Sequence, residues 1–326
     1  MKFLLEQDNP FDPKIAQEDL ELSVRNKWEE WCQFNPEECI KEISNNSNFY
    51  YEKDKGWVVE RDISLSNKNL TYISLKFYKV EGIFDISYNS YLEFLKGSPK
   101  IVEGCFYAYN CDLRSLEGAP EYVGGDFSVS NNPNLKSLKG SPKRVERYFY
   151  ASNCDLRSLE GAPEYVGGNF SISNNPNLKS LKGSPRRVKG NFWASDCDLQ
   201  SLEGAPEYVG GNFSISNNSN LKSLKGSPKI VEGNFYAYNC DLRSLEGAPE
   251  YVGRDFDISY NPNLKFLKGS PKRVGEDFYA YGCDLRSLEG APEYVGGKFD
   301  IEKQKTKKWT KEEIRAKIKV EGEIYV

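Results

Sequence analysis

Five of the eight cysteines recur at a fixed interval of 43 residues, and they are the most reactive side chains in the repeated part of the chain. Thiols can form disulfides, bind a metal ion or act as nucleophiles. The recurring positions are Cys111, Cys154, Cys197, Cys240 and Cys283. The chain has no histidine, which excludes Ser-His-Asp and Cys-His catalytic units, histidine metal ligands and imidazole bases.

The interval of 43 residues contains two similar halves, such as the 22 residues 113–134 and the 21 residues 135–155. Their shared pattern is L-x-S-L-x-G-[SA]-P-x-x-V-x-x-x-F-x-[VIA]-x-x-[NC]. Alternation in F-x-[VIA] predicts a strand with Phe127 and Val129 on one face and Ser128 on the other. Twelve such strands, and therefore 12 coils in residues 58–301, are predicted to begin at Ile63, Phe84, Phe106, Phe127, Phe149, Phe170, Phe192, Phe213, Phe235, Phe256, Phe278 and Phe299.

The run Phe149-x-Ala151-x-x-Cys154-x-Leu156 resembles the leucine-rich repeat core L-x-L-x-x-[N/C]-x-L, and a period of 21 to 22 lies in the range of that family. The S-L-x-G-x-P-x-x-V-x-G-x-F form is similar to short leucine-rich repeat proteins of tailed bacteriophages and some bacteria. The resemblance implies a curved solenoid with a parallel sheet on its concave side. Lys68 and Gln304 replace the Asn or Cys in the outermost coils, as expected near caps.

The Asn/Cys position alternates between the two residue types from one coil to the next. Cysteines on alternate coils are expected about 9.6 Å apart, which is too far for a disulfide or for one shared metal ion. We therefore predict a structural ladder of reduced thiols, no metal or cofactor, and a cytoplasmic location. Cys32 and Cys39 lie outside the ladder and could pair, but a buried structural role without a bond is the interpretation we favour for a helical cap.

Charged residues alternate along the solenoid as well. Half A carries Glu117 and Glu121 where half B carries Lys139 and Lys143, so acids and bases should neighbour one another in the stack, and Arg144 should lie across a neighbouring tyrosine ring. This interleaving, with a net charge of -4, disfavours a phosphate-binding surface and makes nucleic acid an unexpected partner. No apolar run approaches the roughly 20 residues of a membrane span.

An aromatic row follows the strand phenylalanines of half B, on the outward side of the sheet. Tyr and Trp are favoured at protein interfaces, so this concave face is the predicted partner-binding site. A purely structural role, in which the rings cover the sheet, is the alternative. The predicted site residues are Tyr107, Tyr150, Trp193, Tyr236 and Tyr279, with Tyr109, Tyr238 and Tyr281 two positions later and Asp85, Asp257 and Asp300 toward the ends.

The two ends of the chain do not repeat. Residues 1–57 are predicted to form a helical N-terminal cap, with one helix from Asp12-Pro13 and a second from Pro36 through Ile43. An acidic partner-binding segment is the alternative for this region. Residues 302–326 are predicted to form a C-terminal cap, with a helix after the capping box Thr310-x-x-Glu313 and a short strand at the terminus.

These features predict a non-enzymatic, protein-binding scaffold of unknown oligomeric state. The Asp and Glu residues could in principle supply a glycosidase pair, but their interleaving with Lys favours structure. The family resemblance suggests a viral protein that acts inside a bacterial host and blocks a host factor, such as a defence protein. One alternative is a carbohydrate or nucleotide-like ligand stacked on the aromatic row. Another is a structural virion or assembly component.

Overall fold

The chain winds into a stack of coils, and each coil adds one short strand to each of two sheets. The computed structural model describes residues 29–326. One sheet has 14 strands and the other 13, and strand order follows the direction of the chain. All pairings are parallel except in the hairpin at the N-terminal edge. This architecture confirms the predicted parallel solenoid, with about 13 coils.

The first sheet is called the valine sheet here, because most of its strands end on a buried valine. Its strands are β1 Phe49–Glu52, β2 Gly56–Val59, β4 Phe77–Val80, β6 Ile101–Val102, β8 Tyr122–Val123, β10 Arg144–Val145, β12 Tyr165–Val166, β14 Arg187–Val188, β16 Tyr208–Val209, β18 Ile230–Val231, β20 Tyr251–Val252, β22 Arg273–Val274, β24 Tyr294–Val295 and β26 Lys319–Val320. The sequence analysis did not predict this sheet, because the P-x-x-V segment has one recurring apolar residue and therefore shows no alternation.

The second sheet is called the phenylalanine sheet. Its strands are β3 Ile63–Ser64, β5 Phe84–Asp85, β7 Phe106–Tyr107, β9 Phe127–Ser128, β11 Phe149–Tyr150, β13 Phe170–Ser171, β15 Phe192–Trp193, β17 Phe213–Ser214, β19 Phe235–Tyr236, β21 Phe256–Asp257, β23 Phe278–Tyr279, β25 Phe299–Asp300 and β27 Ile324–Tyr325. All 12 predicted strand starts are confirmed. The thirteenth strand, β27, pairs with β25, so the C-terminal segment continues the stack.

A column of phenylalanine rings runs through the core along the phenylalanine sheet. The 11 rings from Phe84 to Phe299 are fully buried, and neighbours stack with centroids 4.9 to 5.8 Å apart. Offset stacking adds about 0.5–1.5 kcal/mol per aromatic pair to the gain from burial. Each coil therefore depends on the coils above and below it for its core.

Buried asparagines tie successive coils together, as predicted. The Asn218 carboxamide accepts a hydrogen bond from the Leu199 N–H at 3.0 Å, and it donates to the Ala194 and Ile215 carbonyls at 3.0 and 2.7 Å. Gln304 makes equivalent bonds in the last such coil, to the Leu285 N–H and the Ala280 carbonyl. The longer side chain of glutamine thus replaces asparagine with the same function.

The recurring cysteines fill the alternate positions of this ladder as thiols. The Cys240 thiol donates one weak hydrogen bond to the Ile215 carbonyl, with sulfur and oxygen 3.4 Å apart. Burial raises the pKa of the Cys111, Cys154 and Cys240 thiols to about 11. Thiols of raised pKa are poor nucleophiles, which agrees with a structural role.

Cys32 and Cys39 form a disulfide, so the expectation that they stay unpaired is wrong. Residues 29–34 are helical, and the helix breaks at Asn35 before α1, Pro36–Ile43. The break brings the two Cα atoms to 5.2 Å, within the range for a disulfide, and both side chains are buried. Spacing along one uninterrupted helix would not have suggested this pairing.

The observed caps are more closely joined to the sheets than predicted. Helix α1 has the predicted bounds, but β1 and β2 form a hairpin that begins the valine sheet within the predicted helical cap. The rest of the first predicted helix falls in residues 1–28, outside the described part. At the other end, Thr310 and Glu313 form the predicted capping box on α2, Lys311–Arg315. The strand β26 then extends the valine sheet.

The alternating charges pair between coils on the surface. Lys139 lies 3.2 Å from Glu160, and Lys225 lies 3.1 Å from Glu246. These side chains are more than 60% exposed, so each pair contributes only about 0–1 kcal/mol. On the valine sheet the predicted stacking of arginine on tyrosine is confirmed, at 4.2 Å for Arg144 on Tyr165. In these two rows acidic and basic side chains alternate from one coil to the next.

We predict that Asn218→Ala destabilises the protein more than Cys240→Ala. The asparagine variant leaves several buried backbone groups without a hydrogen-bond partner, at a cost of about 2–4 kcal/mol. The cysteine variant loses one weak bond and a little volume, at a cost of about 1 kcal/mol. The free energy of unfolding from urea titration followed by circular dichroism measures both losses. Equal losses of unfolding free energy in the two variants would contradict the inference that the buried asparagines tie the coils together.

Candidate functional site

The outward face of the phenylalanine sheet carries every predicted site residue. The side chain after each strand phenylalanine points away from the core, and aromatic residues alternate there with Ser or Asp in strict register. We call the residues Tyr107, Tyr150, Trp193, Tyr236, Tyr279 and Tyr325 the aromatic row. Its members lie two strands apart, or about 9.6 Å. The location of this face on the concave side stays a prediction.

Tyr325 was missed by sequence reasoning. It follows Ile324, which pairs with Phe299, and it therefore takes the next aromatic position after Tyr279. The C-terminal strand itself was predicted, but its register depends on a connection through α2 that does not follow the repeat. The observed register adds a sixth ring to the row.

Three hydroxyl groups of the row, those of Tyr236, Tyr279 and Tyr325, are engaged within the protein. The Tyr279 hydroxyl donates to the Asp277 carboxylate at 2.6 Å, and the Asn234 amide donates to the Tyr236 hydroxyl at 2.6 Å. The Tyr325 hydroxyl donates to Glu323 in the same way. In each case the partner lies two residues earlier, before the strand. These bonds hold the half-buried rings in fixed positions and leave their apolar surfaces to the outside.

A second ladder, which was not predicted, supports these ring positions. In most coils, the side chain of the residue before the strand accepts a hydrogen bond from the N–H of its counterpart in the following coil. The Asn191 N–H donates to the Asn169 side chain at 2.9 Å, and the Asn212 N–H donates to the Asn191 side chain at 2.7 Å. Asp255 accepts from the Asp277 N–H at 3.0 Å. The recurrence of Asn or Asp directly before the strand phenylalanine could have indicated this ladder from the sequence.

Small serines separate the rings at the centre of the row. The Ser152 and Ser171 hydroxyls are 2.8 Å apart, as are the Ser195 and Ser214 hydroxyls. Because these hydroxyls bond to each other across neighbouring coils, the serine hydroxyls between Tyr150 and Trp193 already have hydrogen-bond partners. A partner that contacts the centre of the row gains mainly apolar and ring contacts there.

Additional tyrosines widen the row toward both ends. Tyr109 packs edge-on against Tyr88 with centroids 5.2 Å apart, and Tyr281 packs against Tyr260 at 5.3 Å. Tyr88 and Tyr260 were missed, although both replace the Asn, Asp or Gly found at this position in most other coils. Their φ angles of 58° and 56° lie in the left-handed region, which Asn adopts more readily than Tyr.

The C-terminal end of this face contains a cleft of about 420 Å³, called the tyrosine cleft here. It brings together five predicted residues and two others. Burial raises the pKa of the Asp257 carboxyl, and the charge of Asp300 adds to this effect. The predicted Tyr107, Tyr109 and Asp85 belong to the opposite end of the row. The lining residues are Tyr238, Asp257, Ser259, Tyr260, Tyr279, Tyr281 and Asp300.

The groups on this face can stack, hydrogen-bond and attract a cation. Among residues 29–326, no group of three or more acidic or cysteine side chains is arranged to hold a metal ion. In the same part of the chain, no helix has the length and apolar character needed to cross a bilayer.

Comparisons of the chain with protein-family models, with curated proteins and with solved structures found no match. The similarity to leucine-rich repeat proteins therefore rests on the repeated residues themselves.

We predict that several tyrosines of the row ionise late in the folded protein. Burial raises the pKa of Tyr107, Tyr150, Tyr236 and Tyr279, and the Asp277 carboxylate raises that of Tyr279 further. Because these pKa values are higher in the folded state, their contribution to stability is complete below about pH 10 and is lost as pH rises through the folded values. During an alkaline titration of the folded protein, part of the phenolate absorbance should appear only above the usual pKa of tyrosine. In urea, this part should shift to the usual pKa. Superimposable folded and unfolded curves would contradict this.

Proposed function

We propose that this protein is a non-enzymatic scaffold that binds a protein partner on the outward face of the phenylalanine sheet. The aligned aromatic row, with three of its tyrosines held by hydrogen bonds, is the observation that carries the proposal. Tyr236 and Tyr279 are held by hydrogen bonds of 2.6 Å, so their rings lose little further freedom when a partner binds. Immobilising a mobile side chain costs about 0.5–1.5 kcal/mol, and a preorganised surface avoids that cost.

The composition of the face favours a protein over a nucleic acid. Tyr and Trp are enriched among the residues that dominate binding energy at protein interfaces. Lys and Arg residues that alternate with Glu along the stack form ion pairs with Glu of a neighbouring coil, as in Lys139 with Glu160. A phosphate backbone would have to compete with those pairs and with a net charge of -4.

The resemblance to repeat proteins of tailed phages suggests a host factor, such as a defence protein, as the partner. In that case the protein would act in the bacterial cytoplasm. The thiols of Cys111, Cys154 and Cys240 agree with a reducing compartment. The Cys32–Cys39 disulfide is the opposing observation, because disulfides are rare in the cytosol.

A carbohydrate or another flat ligand is the second candidate, and the regular ring spacing favours it. Rings about 9.6 Å apart could stack on successive units of a linear polymer. A structural role in an assembly is a third candidate, which would use the caps at the two ends of the stack.

We predict that replacing Tyr150, Trp193 and Tyr236 with serine abolishes partner binding and preserves the fold. Serine already occupies the same position in alternate coils, as in Ser171, so the sheet should tolerate it. Each lost anchor should weaken binding by about 1–2 kcal/mol, and three together by a factor of several hundred or more. Affinity capture from a bacterial lysate, followed by titration calorimetry with the recovered protein, measures the change.

The matched control replaces Tyr165, Tyr208 and Tyr251 with serine. These tyrosines lie on the valine sheet, so binding should persist. Loss of binding in the control with retention in the row variant would overturn the proposal. Binding of an oligosaccharide array by wild type, with no protein recovered, would favour the second candidate. Concentration-dependent self-association in sedimentation, also without a recovered protein, would favour the third.

A further inference from the structure

The tyrosine cleft contains two carboxylates that form no ion pair within residues 29–326. Asp257 and Asp300 lie on the strands to either side of Tyr279, in register with it. One oxygen of each carboxylate accepts a backbone N–H at 2.9 Å, from Ser259 and from Glu302 respectively. The Ser259 side chain also hydrogen-bonds to the Asp257 carboxyl. Two carboxylates that flank an aromatic ring create a strong preference for a cation.

The walls of the cleft are aromatic on several sides. Tyr281 contacts Tyr260, and the amine of Lys303 lies 5.0 Å from the Tyr281 ring centroid. This ring therefore already attracts a cation of the protein itself. In the described part of the chain, the rings of Tyr238 and Tyr279 have no such cation over them.

Tyr260 forms one wall of the cleft, at a position where most coils have Asn, Asp or Gly. Tyr260 has φ 56°, where a bulky side chain is unfavourable. The next coil has Gly282 at the equivalent position, and a Cβ there would lie 3.2 Å from the Tyr260 ring. Glycine at this position thus makes room for the tyrosine ring. Two departures from the repeat, in adjacent coils, cooperate to place one aromatic wall.

We propose that the tyrosine cleft binds an arginine side chain of the protein partner. A guanidinium is planar, so it can stack on Tyr279 and donate hydrogen bonds to the carboxylate of Asp257 or of Asp300 beside the ring. The volume of about 420 Å³ far exceeds the roughly 30 Å³ of a water molecule and accepts such a side chain. This inference rests on the proposed function, since it names the chemistry of one contact.

Calorimetric titration of the full chain with Nα-acetyl-arginine methylamide tests the inference without the partner. The uncharged isostere, Nα-acetyl-citrulline methylamide, and the corresponding lysine compound are the comparison probes. The arginine probe should bind at least about tenfold more tightly than citrulline, because charge-assisted bonds are lost in the latter. It should also bind more tightly than lysine. Equal binding of arginine and citrulline, tighter binding of lysine, or no arginine binding would overturn the inference.

Asp257→Asn should reduce arginine affinity by about tenfold, because the amide retains the bond to Ser259 and loses the charge. The matched control is Asp85→Asn, at the same strand position near the opposite end, and it should leave affinity unchanged. Tyr260→Asn offers a second variant, since Asn is the usual residue there, and it too should weaken binding. Unchanged affinity in Asp257→Asn and Tyr260→Asn would overturn the site.

These experiments distinguish a failure of the cleft assignment from a failure of the proposed function. A double variant, Tyr150→Ser with Trp193→Ser, lies outside the cleft, so it should bind the arginine probe as wild type does. Arginine binding with no protein partner would leave the cleft assignment standing and count against the scaffold proposal. Partner binding that survives Asp257→Asn unchanged, with no arginine binding, would overturn the cleft assignment alone.

Discussion

The structure depends on the stacking of each coil on the next in one fixed register. Backbone bonds such as Phe127 N–H to the Tyr148 carbonyl, at 2.8 Å, join the coils. The phenylalanine rings and the asparagine ladder then allow only one alignment. A shift of one residue would expose the ring column and bury the outward row, so the register is strongly specified. A single coil has no core of its own, and stability comes from its neighbours.

The same register organises the surface. Because every coil presents its outward side chain at the same height, any residue type that recurs in the sequence becomes a straight row in space. The rows of Tyr and Trp, of Ser, and of Asn and Asp before each strand all arise in this way. Hydrogen bonds between rows, such as Tyr279 to Asp277, then fix the aromatic rings. Departures from the repeat, as at Tyr260, produce local features such as the tyrosine cleft.

Much of the fold could be predicted from the sequence, because every copy of the repeated pattern predicts the same local structure. The strand starts, the asparagine ladder and α1 all followed from local rules. The valine sheet was missed because its segment of the repeat has one recurring apolar residue, the valine, and no alternation. The disulfide was missed because the helix break at Asn35 is a tertiary detail. The aromatic row was predicted, but the hydrogen bonds of its hydroxyls depend on side-chain orientation, and the cleft depends on contacts between coils. Sequence spacing displays neither.

The central claim is that the outward face of the phenylalanine sheet contacts the partner. Oxidative footprinting with mass spectrometry, on the free protein and on its complex with the captured partner, tests it most directly. The account predicts that oxidation of Tyr150, Trp193 and Tyr236 falls in the complex, while Tyr165 and Tyr208 on the valine sheet remain as reactive as before. Protection of the valine-sheet tyrosines, with Trp193 unchanged, would contradict the account.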